Sequence, residues 1–83
     1  MAYKRLMAAK KRTVGSKETL KAIEKGRAKV VYVAQGADRH VIEPIIQAST
    51  AKGIPVIEVD SMLALGKACH IEVGCASAAV VEE

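Results

Sequence analysis

Gly15-Ser16-Lys17-Glu18-Thr19-Leu20-Lys21 is the stretch of this chain whose residue types and spacing could do chemistry. A helix that begins at Gly15-Ser16, with Ser16 as its expected N-cap, presents unpaired backbone N–H groups and the positive end of its dipole. Such a terminus attracts anions. Side chains three and four apart share a helical face, so Lys17 and Lys21 align with Glu24 or Lys25, and Glu18, Lys21 and Lys25 form an overlapping strip. Glu18 is the informative member. A phosphate clamp has no use for a carboxylate, but base recognition does. Lysine donates to guanine O6 and N7, while a carboxylate accepts from exposed base amines and ring N–H groups.

The bland alternative is a solvated helix face, and the charge distribution weighs against it. Ten of the thirteen Lys and Arg residues precede Val30 and meet only Glu18 and Glu24 there, a net +8 over residues 1–29. Residues 30–83 carry −4, for a total of +4. Cations gathered at one end are a footprint for a polyanion.

Other chemistries find little support. Cys69 and Cys75 with His40 and His70 lack a zinc spacing, so no metal or other cofactor is expected. The same residues show no nucleophile–base spacing, and no Walker-type glycine pattern is present, so an enzyme is not expected. The cysteines read as buried, reduced thiols, which fits a cytoplasmic protein; a disulfide is the minor reading. No apolar run has the length of a signal peptide or of a membrane span. With no Phe or Trp and only Tyr3 and Tyr32, the chain lacks the aromatic platform of most single-strand binders.

The elements that must position the strip follow from hydrophobic spacing. Eighty-three residues, 51% of them hydrophobic, predict one globular domain over 1–83. A short helix is expected from Tyr3 to Lys10, a brief strand at 12–14, and the Ser16 helix with Leu20 and Ile23 inward and Gly26 as its stop. The apolar run 29–34 reads as a central strand covered on both faces. Asp38 opens the next helix, which Pro44 is expected to split into a short turn and a main helix ending near Lys52, closed by Gly53. A strand at 56–59, a helix capped by Ser61, a loop over 70–75 and a last strand at 76–81 complete an α/β pattern.

With these residues in place, a resemblance can be stated. Gly15-x-Lys17-Glu18-x-x-Lys21 with Glu24-Lys25-Gly26 resembles the signature of the kink-turn RNA-binding ribosomal protein family, the archaeal large-subunit "seven-Ae" and "thirty-e" superfamily, and within it the bacterial YbxF-type members. The block from Leu65 to Ala76 is similar to the family's recognition loop and final strand, and Lys52-Gly53-Ile54-Pro55-Val56 agrees as well. The likeness runs from about Lys4 to Val81. It implies a three-layer α/β/α sandwich with a small four-stranded mixed sheet. It also implies a monomeric protein, ribosomal or ribosome-associated, that stabilises a kink-turn: a bent duplex with tandem sheared G·A pairs beside a bulge, in ribosomal RNA or a riboswitch.

By that resemblance Glu18 and Lys17 read the sheared pairs, whose guanine edges are exposed, and Gly15 and Ser16 at the helix entry belong to the same RNA-binding set. Lys21 reaches the same pairs or a phosphate, Lys25 reaches the backbone, and Ile71, Glu72 and Val73 support a flipped-out bulge nucleotide. Lys67 is a lesser candidate for a phosphate contact, otherwise surface filler, and Tyr32 reads as core. Ile71 and Val73 would, without the resemblance, be taken for core residues entering a strand. Two departures stand out: Lys17 replaces a common Asn, and His70 replaces the usual Gly before the loop. His70 has a simple reading as an exposed residue closing the helix before it, and a sharper one as an RNA contact. The alternatives to RNA binding are a small phosphate-ligand-binding α/β domain and a protein-interaction module.

Overall fold

The computed structural model describes residues 3–83. Its elements alternate: α1 (Lys4–Ala8), β1 (Lys11–Val14), α2 (Ser16–Glu24), β2 (Val30–Ala34), α3 (Arg39–Ala51), β3 (Val56–Val59), α4 (Met62–Ala68) and β4 (Ser77–Glu82). The four strands form one mixed sheet in the order β1-β4-β2-β3. β4 runs antiparallel to both of its neighbours, and β2 and β3 are parallel.

Residue alternation along the strands builds two cores. Val30, Tyr32 and Ala34 of β2 and Ala78 and Val80 of β4 face Leu6 of α1 and Leu65 and Ala68 of α4. Val31, Val33 and Ala79 point the other way, against Ala22 and Ile23 of α2 and Ile42 and Ile45 of α3. The result is a three-layer α/β/α sandwich. Every residue of β2 is buried, which accounts for its unbroken apolar run, since a strand covered on both faces has no polar side to show. The edge strands carry charge instead, Lys11 and Arg12 on β1 and Glu58 on β3, which discourages pairing with another sheet.

Two local expectations fail for identifiable reasons. Pro44 does not split its region: α3 is one helix from Arg39 to Ala51 with Pro44 inside. The proline costs the bond its N–H would have given near the start of the helix. Ile42, Ile45 and Ser49 are buried on the opposite side, and that burial holds the helix together across the gap. Ser16 is likewise not the N-cap of α2. Gly15 is, and it has no side chain to offer, while Ser16 is the first helical residue.

Strand order gathers the functional end of the molecule. β1, β2 and β3 each lead directly into a helix, and β4 starts where β2 ends, with Ser77 opposite Val33 and Ala78 opposite Val14. The starts of α2, α3 and α4 and the beginning of β4 therefore share one end of the sheet. The segment between α4 and β4 turns back along α4 at very short range. Ile71 N–H donates to Gly66 O at 3.0 Å and Cys75 N–H to Met62 O at 2.9 Å. A Cβ on Gly66 would lie 2.0 Å from the Val73 carbonyl oxygen, so only glycine admits the loop. Gly66→Ala is expected to destabilise the fold by roughly 1–3 kcal/mol through this overlap. Urea denaturation of the variant with an unchanged midpoint would show that the loop does not lean on α4.

Candidate nucleic-acid interface

The start of α2 is built by backbone geometry. Gly15 has φ 92° and ψ 157°, a conformation essentially reserved for glycine. It turns the chain out of β1 so that its N–H donates to Ser77 O at 3.0 Å, across the sheet at the first residue of β4. The Ser16 and Ser77 hydroxyls share a second hydrogen bond of 3.0 Å, and Ser77 is fully buried. One turn on, the Thr13 and Thr19 hydroxyls pair at 2.8 Å and pin the underside of the helix to β1. The small polar residues of this segment thus anchor the helix. Its long side chains are left exposed, among them Lys17, Glu18, Lys21, Glu24 and Lys25.

Between α2 and the β1 edge lies an open groove of about 480 Å³. Glu18, Lys21 and Lys25 line one wall, Thr13 and Val81 are among its other lining residues, and Lys10, Lys11, Arg12 and Arg27 complete the lining. A single carboxylate therefore sits among six cationic residues. The sequence strip Glu18-Lys21-Lys25 is borne out as one surface, whereas Lys17 stands outside the groove at the first turn of the helix.

The groove also contains residues that the helical spacing could not find. Lys10, Lys11 and Arg27 come from flanking segments, and only the pairing of β1 with β4 and the turn after α2 bring them alongside. Not all of the basic N-terminal region is available to a ligand. Arg5 forms a two-pronged pair with Glu83 at 2.5 and 2.8 Å, which raises the arginine pKa and lowers that of the glutamate, in each case chiefly through that hydrogen bonding. Lys11 lies 3.8 Å from Glu82. Arg12 donates to the carbonyls of Leu6, Met7 and Ala9, closing the C-terminal end of α1. Lys17, Lys21, Lys25 and Arg27 have no carboxylate partner among the described residues.

The loop residues occupy the other helical layer. Ile71 is half-buried against the core beneath α4, so the structure gives it partly to packing. Glu72 is exposed, and Val73 is 66% exposed although its carbonyl lies against Gly66 of α4. Lys67 is exposed in the last turn of α4, away from α2. Helix start and loop are joined at Ser77: the loop runs from Ile71 to Ala76, and the next residue carries bonds to both Gly15 and Ser16.

Cys69 and Cys75 flank this loop as buried free thiols. The neighbouring Cys75 sulfur, and then burial, push the Cys69 thiol well above its ordinary range. Cys75 Sγ–H donates to Ser77 O at 2.9 Å. Both cysteines are buried at the base of the loop. Among the described residues no group of His, Cys, Asp and Glu side chains forms a metal site, and no helix is long and apolar enough to cross a membrane.

Comparison with known proteins gives a consistent result. Residues 2–83 match the profile of the Ribosomal protein L7Ae/L30e/S12e/Gadd45 family. The RNA-binding protein YbxF of Geobacillus stearothermophilus is 42% identical over 81 residues, covering 98% of this chain and 99% of that protein. An RNA-binding protein of Bacillus pumilus is 37% identical over the same lengths. Among solved structures, the Giardia lamblia 15.5kD RNA binding protein superposes with a TM-score of 0.86 at 28% identity, over 98% of this chain and 68% of that one.

Because a Cβ at Gly15 would meet open space, any penalty for filling it is purely one of backbone conformation. Gly15→Ala is expected to cost about 1–3 kcal/mol of folding free energy in chemical denaturation. A neutral substitution would show that the turn into α2 does not need this conformation.

Proposed function

The chain belongs to the ribosomal protein L7Ae/L30e/S12e/Gadd45 family, and from that membership we propose that it is a non-catalytic RNA-binding protein whose ligand is a kink-turn. The observation that carries this reading is Glu18, exposed in a groove of cations on a helix whose start is bonded through Ser77 to the loop that exposes Val73. A Watson–Crick stem hides the edges that a carboxylate can read. Tandem sheared G·A pairs expose them, so Glu18 accepts from guanine N–H groups while Lys17 and Lys21 donate to O6, N7 or a nearby phosphate. Gly15 and Ser16 bring the backbone of the α2 start close to the same pairs. Lys25 serves the RNA backbone, with Lys67 a lesser phosphate contact. Ile71, Glu72 and Val73 support the bulged nucleotide.

The protein acts by selection of shape. Free RNA samples bent and extended forms, and a surface that fits only the bent form shifts the population toward it. Phosphate neutralisation in the groove supplies most of the salt-sensitive affinity, and base edges supply the specificity. In this reading the protein is a monomer in the cytoplasm, and its natural ligand is a ribosomal RNA or a riboswitch that contains the motif.

Two measurements separate these roles. Glu18→Ala is expected to weaken binding to a kink-turn RNA by about 1–3 kcal/mol and to leave the weak binding to a regular duplex unchanged. Equal weakening on both RNAs would reduce the site to a charge patch. Arg27→Ala, by contrast, is expected to weaken binding to every RNA alike and to lower the slope of log affinity against log salt by about one. An unaltered slope would remove Arg27 from the phosphate path.

A further inference from the structure

His70 is the only non-glycine residue with positive φ among the described residues, at 65°. It closes α4: its N–H donates to Lys67 O at 3.0 Å, and the next N–H, from Ile71, donates to Gly66 O at 3.0 Å. That is the left-handed helix ending in which glycine is usual, because a Cβ there is strained. The fold receives nothing visible in return. The imidazole is exposed and makes no hydrogen bond to the described residues, and the backbone bonds of the turn need no side chain. A strained residue without a structural role points to a functional one.

The chain is also short of rings. It has no Phe or Trp; Tyr32 is fully buried, and Tyr3 is half-buried with its hydroxyl inside. The exposed rings are those of His40 and His70. His40 lies on α3, in the other helical layer, whereas His70 directly precedes Ile71, Glu72 and Val73. The Ile71 N–H and the Val73 carbonyl both meet Gly66, and the His70 N–H is bonded one residue further along α4, so the three residues are held against the same short stretch of helix. Aliphatic side chains can cover a base, but stacking on it takes a planar group, an aromatic ring or a guanidinium, and no arginine lies in this loop.

We propose that His70 is a base-stacking residue: the left-handed backbone presents its imidazole as the planar floor on which an unstacked nucleotide of the bound RNA lies, beside Ile71 and Val73. This rests on the kink-turn reading above. It adds a specificity-determining contact in the helical layer opposite that of the α2 groove.

Opposed effects of substitution test it. His70→Gly relieves the backbone and is expected to leave Tm unchanged or raise it, while weakening kink-turn RNA binding about tenfold. His70→Asn keeps a residue tolerant of positive φ but removes the ring, and is expected to lose affinity similarly. His70→Phe keeps a ring and should bind within about threefold of the original protein. On an RNA with an abasic bulge nucleotide, the original protein and His70→Gly should bind equally. Should Gly and Asn variants bind the intact kink-turn as tightly as the original, the stacking role is overturned. Should the original protein itself not prefer a kink-turn over a straight duplex, the failure lies in the underlying RNA reading and is seen before any variant is made.

Discussion

Ser77 holds the two halves of the surface together. Its carbonyl accepts the Gly15 N–H and the Cys75 thiol, and its hydroxyl meets that of Ser16. These bonds tie the first residue of a central strand to the beginning of α2 on one side and to the end of the α4–β4 loop on the other. Ser77 itself is fully buried, where a hydrogen bond left unmade is costly, so the junction is well determined. The exposed side chains of α2 and those of the loop come from different layers of the sandwich, and this residue ties the two segments together.

Rigidity of this kind suits a protein that recognises shape. The groove walls rest on a helix pinned by the Thr13–Thr19 pair, and the loop is pressed on α4 at Gly66. Little ordering remains to oppose binding of a ligand at these surfaces. The charge is divided in the same spirit. Arg5, Lys11 and Arg12 are drawn into structure by Glu83, Glu82 and the carbonyls of α1, whereas Lys17, Lys21, Lys25 and Arg27, on and just after α2, have no carboxylate partner among the described residues. The net charge of the N-terminal region therefore overstates what an RNA would meet, because acidic residues from the other end of the chain reach back to it.

Most of the fold was legible in the sequence because hydrophobic spacing and stop signals agreed. The 29–34 run, the Ser61 cap and the Gly26 and Gly53 stops all carried local physics that tertiary structure left unaltered. Pro44 was misjudged because its local penalty is outweighed by burial of Ile42, Ile45 and Ser49, a non-local gain. Ser16 was misjudged because its better hydroxyl partner lies sixty-one positions away, on a strand that only the fold brings near.

The amino-acid order alone determined the strip of Glu18, Lys21 and Lys25, since a helix fixes which residues share a face over a few turns. It equally determined that the strip would carry positive charge. Tertiary structure alone decided that Lys10, Lys11 and Arg27 would join it, that Lys17 would stand apart, and that Ile71 would turn half inward while Val73 remained outside. It also decided that His70 would take a left-handed backbone. The physical reason is range. Helical neighbours are set by bonds within one turn, whereas these outcomes depend on strand pairing and layer packing between segments far apart in the chain.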